Sequence, residues 1–364
     1  MNRSKGVNRL FLAMILLSVI SPIVLQEFFL MLDLYQSLAV SQLIFLLPVL
    51  IYLALGKGEM LGELQIRWLG VSEVLMVLLL GVLLLPVVTW INLISMLFVT
   101  NYVSSAFSEV QTASLGMNFI YMALLPALSE EFMFRGVFFH GYRRAGILKA
   151  ALCSGLCFGL IHLNLNQFCY AFIVGTIMAL VVEATGSLFS SMLVHMVINS
   201  SSVLALELAS RIELSPELTQ ELPQMTEEME AMAQFISRGA MAMSYVFYTI
   251  LAAGFGTLAF LVIRWLAGHS GRWEHMKQVF RGAAAEEEMD IPEVVLQPEI
   301  SGDREGYFYE EESDDWQYKE ERQEPEVPVR PSLKKSKKRR IFTPCLFIAI
   351  VICIGYMTVL EFIL

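Results

Sequence analysis

Nine apolar stretches, most of them near the length that a lipid bilayer demands, constrain this chain more than any other feature. A membrane-crossing helix needs about 20 predominantly apolar residues. Such runs fall at roughly 10–32, 37–55, 71–99, 117–139, 148–166, 168–183, 187–207, 240–264 and 341–364. They are long and continuous instead of short and alternating, which leaves a barrel without support. Charged residues make up only 16% of the chain, against about 25% in ordinary soluble domains. The expected fold is all-α: a polytopic membrane helical bundle with an eight-span core over 1–267 and a C-terminal ninth transmembrane helix over 341–364.

Lysine and arginine in the loops orient the bundle. Arg3, Lys5 and Arg9 precede the first run, Lys57 and Arg67 follow the second, and Arg143, Arg144 and Lys149 follow the fourth. Arg264, Arg272, Lys277 and Arg281 follow the eighth. The opposite loops carry Asp33, Glu109 and a glutamate-rich 208–239 segment with only Arg211 and Arg238. The expectation is a multi-pass plasma-membrane protein with a cytoplasmic N-terminus. The first run is too long for a signal-peptide core and is read as a retained span.

Residues 268–340 have a different composition. Between 281 and 330 there are 17 Asp and Glu against 5 Lys and Arg, a net of −12, whereas the whole chain carries −10. The acidic balance therefore belongs to this segment. With Pro292, Pro298, Pro325, Pro328 and Pro331, it reads as a disordered cytoplasmic linker. Tyr307, Phe308, Tyr309, Trp316 and Tyr318 leave open a cytoplasmic docking partner, beside the simpler reading of a solvated spacer. Six basic residues, from Lys334 to Arg340, suit the anionic inner leaflet and lead into the last run. That run then ends at the outer face and reads as an appendage to the core. The cysteines Cys153, Cys157, Cys169, Cys345 and Cys353 all fall in apolar runs and read as packing residues. No nucleic-acid partner is expected.

Three polar motifs interrupt the apolar runs between about 125 and 200. The fourth run carries Glu130-Glu131-Phe132-Met133-Phe134-Arg135, an E-E-x-x-x-R pattern. A carboxylate at membrane depth costs several kcal/mol on insertion scales, so it calls for a partner or a function. Glu131 and Arg135 are four apart and share a helix face. Glu130 is rotated about 100° from Glu131 on a 3.6-residue helix, so one carboxylate can be structural and the other chemical. The fifth run carries Phe158-x-x-x-His162, with Gly155 and Gly159 allowing close approach of another helix. The seventh carries His195-x-x-x-Asn199, behind a Thr185-Gly186-Ser187-Leu188 turn. At 1.5 Å per residue, Glu130, His162 and His195 lie about 15, 20 and 12 Å from the cytoplasmic ends of their spans. They can therefore meet near mid-membrane.

In this order, on three separate spans, the motifs resemble the signature of the CPBP intramembrane proteases (CAAX proteases and bacteriocin-processing enzymes) over roughly residues 60–205. The resemblance implies hydrolysis of membrane-associated or lipidated peptide substrates within the bilayer. It implies Glu130 as general base on a water positioned by His162, and His195 and Asn199 as donors to the oxyanion. Glu131 and Arg135 would hold the helix and tune Glu130. No cofactor is favoured, since asparagine is an unusual zinc ligand and no H-E-x-x-H helix occurs. A zinc version would use Glu130, His162 and His195. Two other classes fit parts of the pattern. Intramembrane Glu and His also serve proton-coupled transporters, though no internal repeat or pair of broken helices accompanies them. A non-catalytic scaffold or immunity protein is the other.

Overall fold

The computed structural model of the protein describes residues 3–56, 64–99, 114–211, 227–281 and 341–363, and every regular element among them is helical. α1 (Arg3–Val24) and the short α2 (Gln26–Leu30) lead into α3 (Leu34–Leu55). The start of α3 is fixed by a capping box, in which Asp33 accepts from the Gln36 N–H and the Gln36 side chain accepts from the Asp33 N–H. After α4 (Val71–Ser95) comes α5, a continuous rod over 115–142. In it, α-helical Leu115–Asn118, Leu125–Glu131 and His140–Tyr142 alternate with π-helical Phe119–Leu124 and Phe132–Phe139. α6 (Ile147–Leu160), α7 (Leu165–Thr185), α8 (Leu188–Arg211), α9 (Glu227–His269), α10 (Trp273–Arg281) and α11 (Pro344–Ile363) follow.

Seven of these helices, α1, α3, α4, α7, α8, α9 and α11, contain stretches long and apolar enough to cross a membrane. The chain is a polytopic helical membrane protein. The fourth and fifth expected spans take other forms. The fourth is the composite rod α5. The fifth is a 14-residue helix that stops at Leu160, well short of the end of the 148–166 run. A turn follows, in which Leu163 adopts φ 52°, a left-handed conformation that a branched side chain adopts at a cost. Asn164 then caps α7 by accepting from the Gln167 N–H at 2.9 Å.

α6 and α7 pack closely because their facing residues are glycines. A Cβ on Gly155 would lie 2.8 Å from the Phe172 carbonyl oxygen, and one on Gly159 would lie 2.9 Å from the Phe168 ring. Among the candidate spans α7 is the most enclosed, with 56% of its apolar window buried against 11% for α3. α7 therefore lies at the centre of the bundle and α3 at its rim.

The loops with the cationic residues come together at one end of the bundle. Glu183, fully buried near the end of α7, accepts at Oε1 from Arg143 (3.0 Å), Arg272 (2.7 Å) and His275 (2.5 Å). Nearby, Arg67 bonds Glu73 and the Thr185 carbonyl, and Ser270 donates to Glu73. This network ties α10 to the core, with Met276 and Val279 buried beneath it. The structured region thus runs to Arg281, past the expected start of the linker at 268. Residues 282–340, with their aromatics and basic cluster, lie outside the described residues, as do Lys57 and Glu109.

The last helix differs from the expected appendage. α11 packs along α1, burying Leu346, Ala349, Cys353 and Met357 in the same core cluster as Val7, Leu10, Phe11 and Met14. Asn8, fully buried on α1, donates to the Ile341 carbonyl at 2.7 Å and to Thr343 Oγ1 at 2.8 Å, and it accepts from the Tyr142 hydroxyl at 2.5 Å. One amide therefore joins α1, α5 and the entry to α11.

Candidate active site

The three motifs converge at the junction of α5, the end of α6, and α8. Glu131 and Arg135, both fully buried, form an ion pair with Nη1 2.6 Å from Oε1. His195 Nδ1 lies 2.8 Å from the same carboxylate oxygen and donates to it. This fixes the ring, and its other nitrogen, Nε2, accepts from Asn199 Nδ2 at 3.1 Å. Glu130 Oε2 stands 3.9 Å from that Nε2. The adjacent glutamates thus differ: the Glu131 side chain is 0% exposed and held by two partners, while Glu130 keeps 18% of its side chain exposed.

His162 lies just beyond α6, in the turn that contains Leu163. Its Nδ1 donates to the Phe158 carbonyl at 2.7 Å, which leaves Nε2 of the neutral ring as an acceptor. It is close enough to Glu130 and His195 to interact with them electrostatically. Phe158 joins the two imidazoles. Its ring meets His162 edge-on at 5.0 Å and His195 edge-on at 5.7 Å, and the Arg135 guanidinium carbon sits 4.3 Å from its centroid. Among the described residues Arg135 Nε and Nη2 have no hydrogen-bond partner. The aromatic face provides cation–π contact where hydrogen bonds are missing. Gly175 on α7 leaves the space, since a Cβ there would lie 2.8 Å from Arg135 Nη2 and 2.9 Å from Phe158.

The π-helical segments of α5 matter to this geometry. A wider turn disturbs the regular backbone pairing, and π segments are frequent at functional sites. Side chains supply extra donors to carbonyls in or beside these segments. Asn199 Nδ2 donates to the Met122 carbonyl at 3.2 Å, and Ser154 donates to the Phe134 carbonyl at 2.7 Å. Both N–H groups of Asn199 are therefore engaged, one by Met122 and one by His195.

All six residues singled out in the sequence lie in this region. Sequence reasoning did not find Gln42 of α3, which donates to Glu130 Oε1 at 3.2 Å and accepts from Ser129 at 2.7 Å. A lone amide in an apolar run was the available signal. It also gave no weight to Glu183, a carboxylate in an apolar run whose partners come from two other segments. The bridging role of Phe158 left no mark, because an aromatic in an apolar run is unremarkable.

Among the described residues no three His, Cys, Asp or Glu side chains are gathered closely enough to hold a metal ion. Glu130, His162 and His195 are no exception. The cysteines described are all unpaired thiols.

No curated protein and no solved structure matches the chain. A family does match over residues 112–201, the stretch that holds α5 to the middle of α8 and all three motifs: Rce1-like, the type II CAAX prenyl endopeptidases. The buried Glu131–Arg135 pair, the accessible glutamate beside it and the two imidazoles all lie within that match. Residues 112–201 of this chain accordingly form a domain of the Rce1-like type II CAAX prenyl endopeptidase family, a family of intramembrane proteases.

Proposed function

We propose that this protein hydrolyses peptide bonds of membrane-associated or lipidated peptides, with Glu130 as the general base. The observation that carries this reading is the division between the two glutamates. Glu131 is locked by Arg135 and His195, whereas Glu130 is half-buried, with Oε2 facing His195 Nε2 at 3.9 Å. A water between Glu130 and His162 gives a proton to the carboxylate while its other hydrogen bonds to His162 Nε2, and its oxygen attacks the scissile carbonyl carbon. The tetrahedral oxyanion is met by Asn199 Nδ2–H, released from His195 Nε2 when the substrate oxygen enters between them. When His195 is the imidazolium it also donates, from Nε2, while Nδ1 stays on Glu131. The proton on Glu130 passes to the leaving amine.

In the same reading the bundle sits in the plasma membrane as eight spans plus α11. Its N-terminus and the Arg143–Glu183–Arg272 network are cytoplasmic, and its C-terminus is at the outer face. The loops at the network end carry the excess of arginine, which favours the inner side. The test is Glu130→Gln, an isosteric change that cannot take a proton from water. Purified in detergent beside wild type and offered a library of lipid-anchored peptides, it should lose cleavage while keeping its melting temperature. Near-wild-type turnover by a folded Glu130→Gln protein would remove Glu130 from the mechanism.

A further inference from the structure

Gln42 lies on α3, outside the matched domain, yet it touches the carboxylate assigned to the chemistry. Among the described residues it supplies the one hydrogen bond to Glu130, from Nε2 to Oε1 at 3.2 Å. The acceptor-only carboxylate of Glu130 fixes which end of the amide faces it, and Gln42 Oε1 is then turned to the Ser129 hydroxyl at 2.7 Å, which also lies 2.9 Å from the Leu125 carbonyl oxygen. The rotation of α3 is set independently. Two turns before Gln42, the Tyr35 hydroxyl donates to Asn118 Oδ1 at 2.8 Å and its ring lies 5.1 Å from that of Tyr121. Two turns after it, Val49 is fully buried. Residues seven apart fall on one helix face, so Tyr35 and Gln42, both of which bond residues of α5, lie on one stripe with the buried Val49.

We infer that Gln42 is a positioning residue for Glu130: it occupies Oε1 and so turns Oε2, the oxygen facing His195 Nε2, toward the water. This rests on the reading of Glu130 as general base. The arrangement tolerates the proton transfer. When Oε2 takes the proton, Oε1 becomes a carbonyl oxygen that still accepts from Gln42, so the bond persists through the step. Without it, the Glu130 side chain, 18% exposed, is free to leave the position that faces His195. Misplacement of a reacting group by about 1 Å costs up to roughly 100-fold in rate.

The experiment compares wild type, Gln42→Met, Ser129→Ala, Glu130→Gln and the Gln42→Met/Glu130→Gln double variant, as full-length protein in detergent. The substrate is one lipid-anchored peptide that wild type cleaves. Methionine keeps the length of glutamine and removes the donor. Gln42→Met should lower kcat about 10- to 100-fold, with KM and melting temperature unchanged. Ser129→Ala should give a smaller loss of the same kind. In the Glu130→Gln background, adding Gln42→Met should change nothing, because there is no proton transfer left to position. Wild-type kcat in Gln42→Met overturns the inference, as does a loss confined to KM or a further loss on top of Glu130→Gln. If Glu130→Gln itself turns over normally, the general-base reading fails and takes this one with it. Should Gln42→Met not fold, Gln42→Leu and Ser129→Ala carry the same comparison.

Discussion

Glu131 carries the architecture of the site, and its energetics are those of a buried pair. Both partners are inaccessible, and one carboxylate oxygen receives Arg135 and His195 together. Removing one side of such a pair leaves an uncompensated buried charge, at a cost of about 3–5 kcal/mol. Arg135→Ala should therefore lower folded yield and melting temperature as well as turnover, measured by thermal aggregation in detergent. Stability equal to wild type would mean that the pair contributes little. Turnover should also survive exhaustive dialysis against chelators, since the candidate ligands are not grouped for a metal and both Nδ1 atoms are engaged by protein oxygens. A loss reversed by zinc alone would overturn that expectation. The pair was legible in the sequence because four-residue spacing puts two side chains on one face. That His195 bonds Glu131, and that Gln42 bonds Glu130, was not legible, because those contacts cross between helices whose rotations the apolar pattern does not set.

The central elements explain how so polar a group is accommodated among apolar helices. α6 and α7 meet through Gly155, Gly159 and Gly175, and the last of these leaves the space for Arg135 and Phe158. Gly175→Ala would place a Cβ 2.8 Å from the guanidinium and 2.9 Å from the ring. Overpacking of this kind costs about 1–3 kcal/mol. The expected outcome is a lower melting temperature together with lost turnover, because the displaced ring is the one that touches both imidazoles. Gly254→Ala is the control: a Cβ there meets nothing within 4 Å, so its stability and turnover should match wild type. An unaffected Gly175→Ala protein would show that the contact relaxes freely. Element existence was legible from the apolar runs, but two boundaries were not. The run through Ile161, Leu163 and Leu165 stays apolar past Leu160, so hydropathy hides the helix end that puts His162 in a turn. The π segments of α5 are hidden for a related reason, since a rod surrounded by apolar neighbours shows no clear period.

At the scale of the molecule, the acidic segment separates α11 from the rest in sequence, yet the helix joins the core cluster. Lipid tails are as apolar as leucine, so a helix face that meets protein carries no more hydrophobicity than one that meets lipid. Composition alone therefore could not tell a docked helix from a tether. What distinguishes them is polar: Asn8, buried at the meeting of α1, α5 and α11, gives both of its donors to Ile341 and Thr343. Truncation after residue 281 would remove those acceptors and uncover the α1 face that holds Val7, Phe11 and Met14. A buried donor left without a partner costs about 1–3 kcal/mol. The truncated protein should melt lower than the full chain, and Asn8→Ala in the full chain should reproduce part of that loss. Combined, the two changes should cost less than their sum, because truncation has already removed two of the three bonds that Asn8 makes. The loss of turnover should follow the loss of stability, since no residue of α11 reaches the glutamates. A truncated protein that melts with the full chain, and an Asn8→Ala effect of the same size in both, would show that α11 is a tether resting on the bundle rather than a part of it.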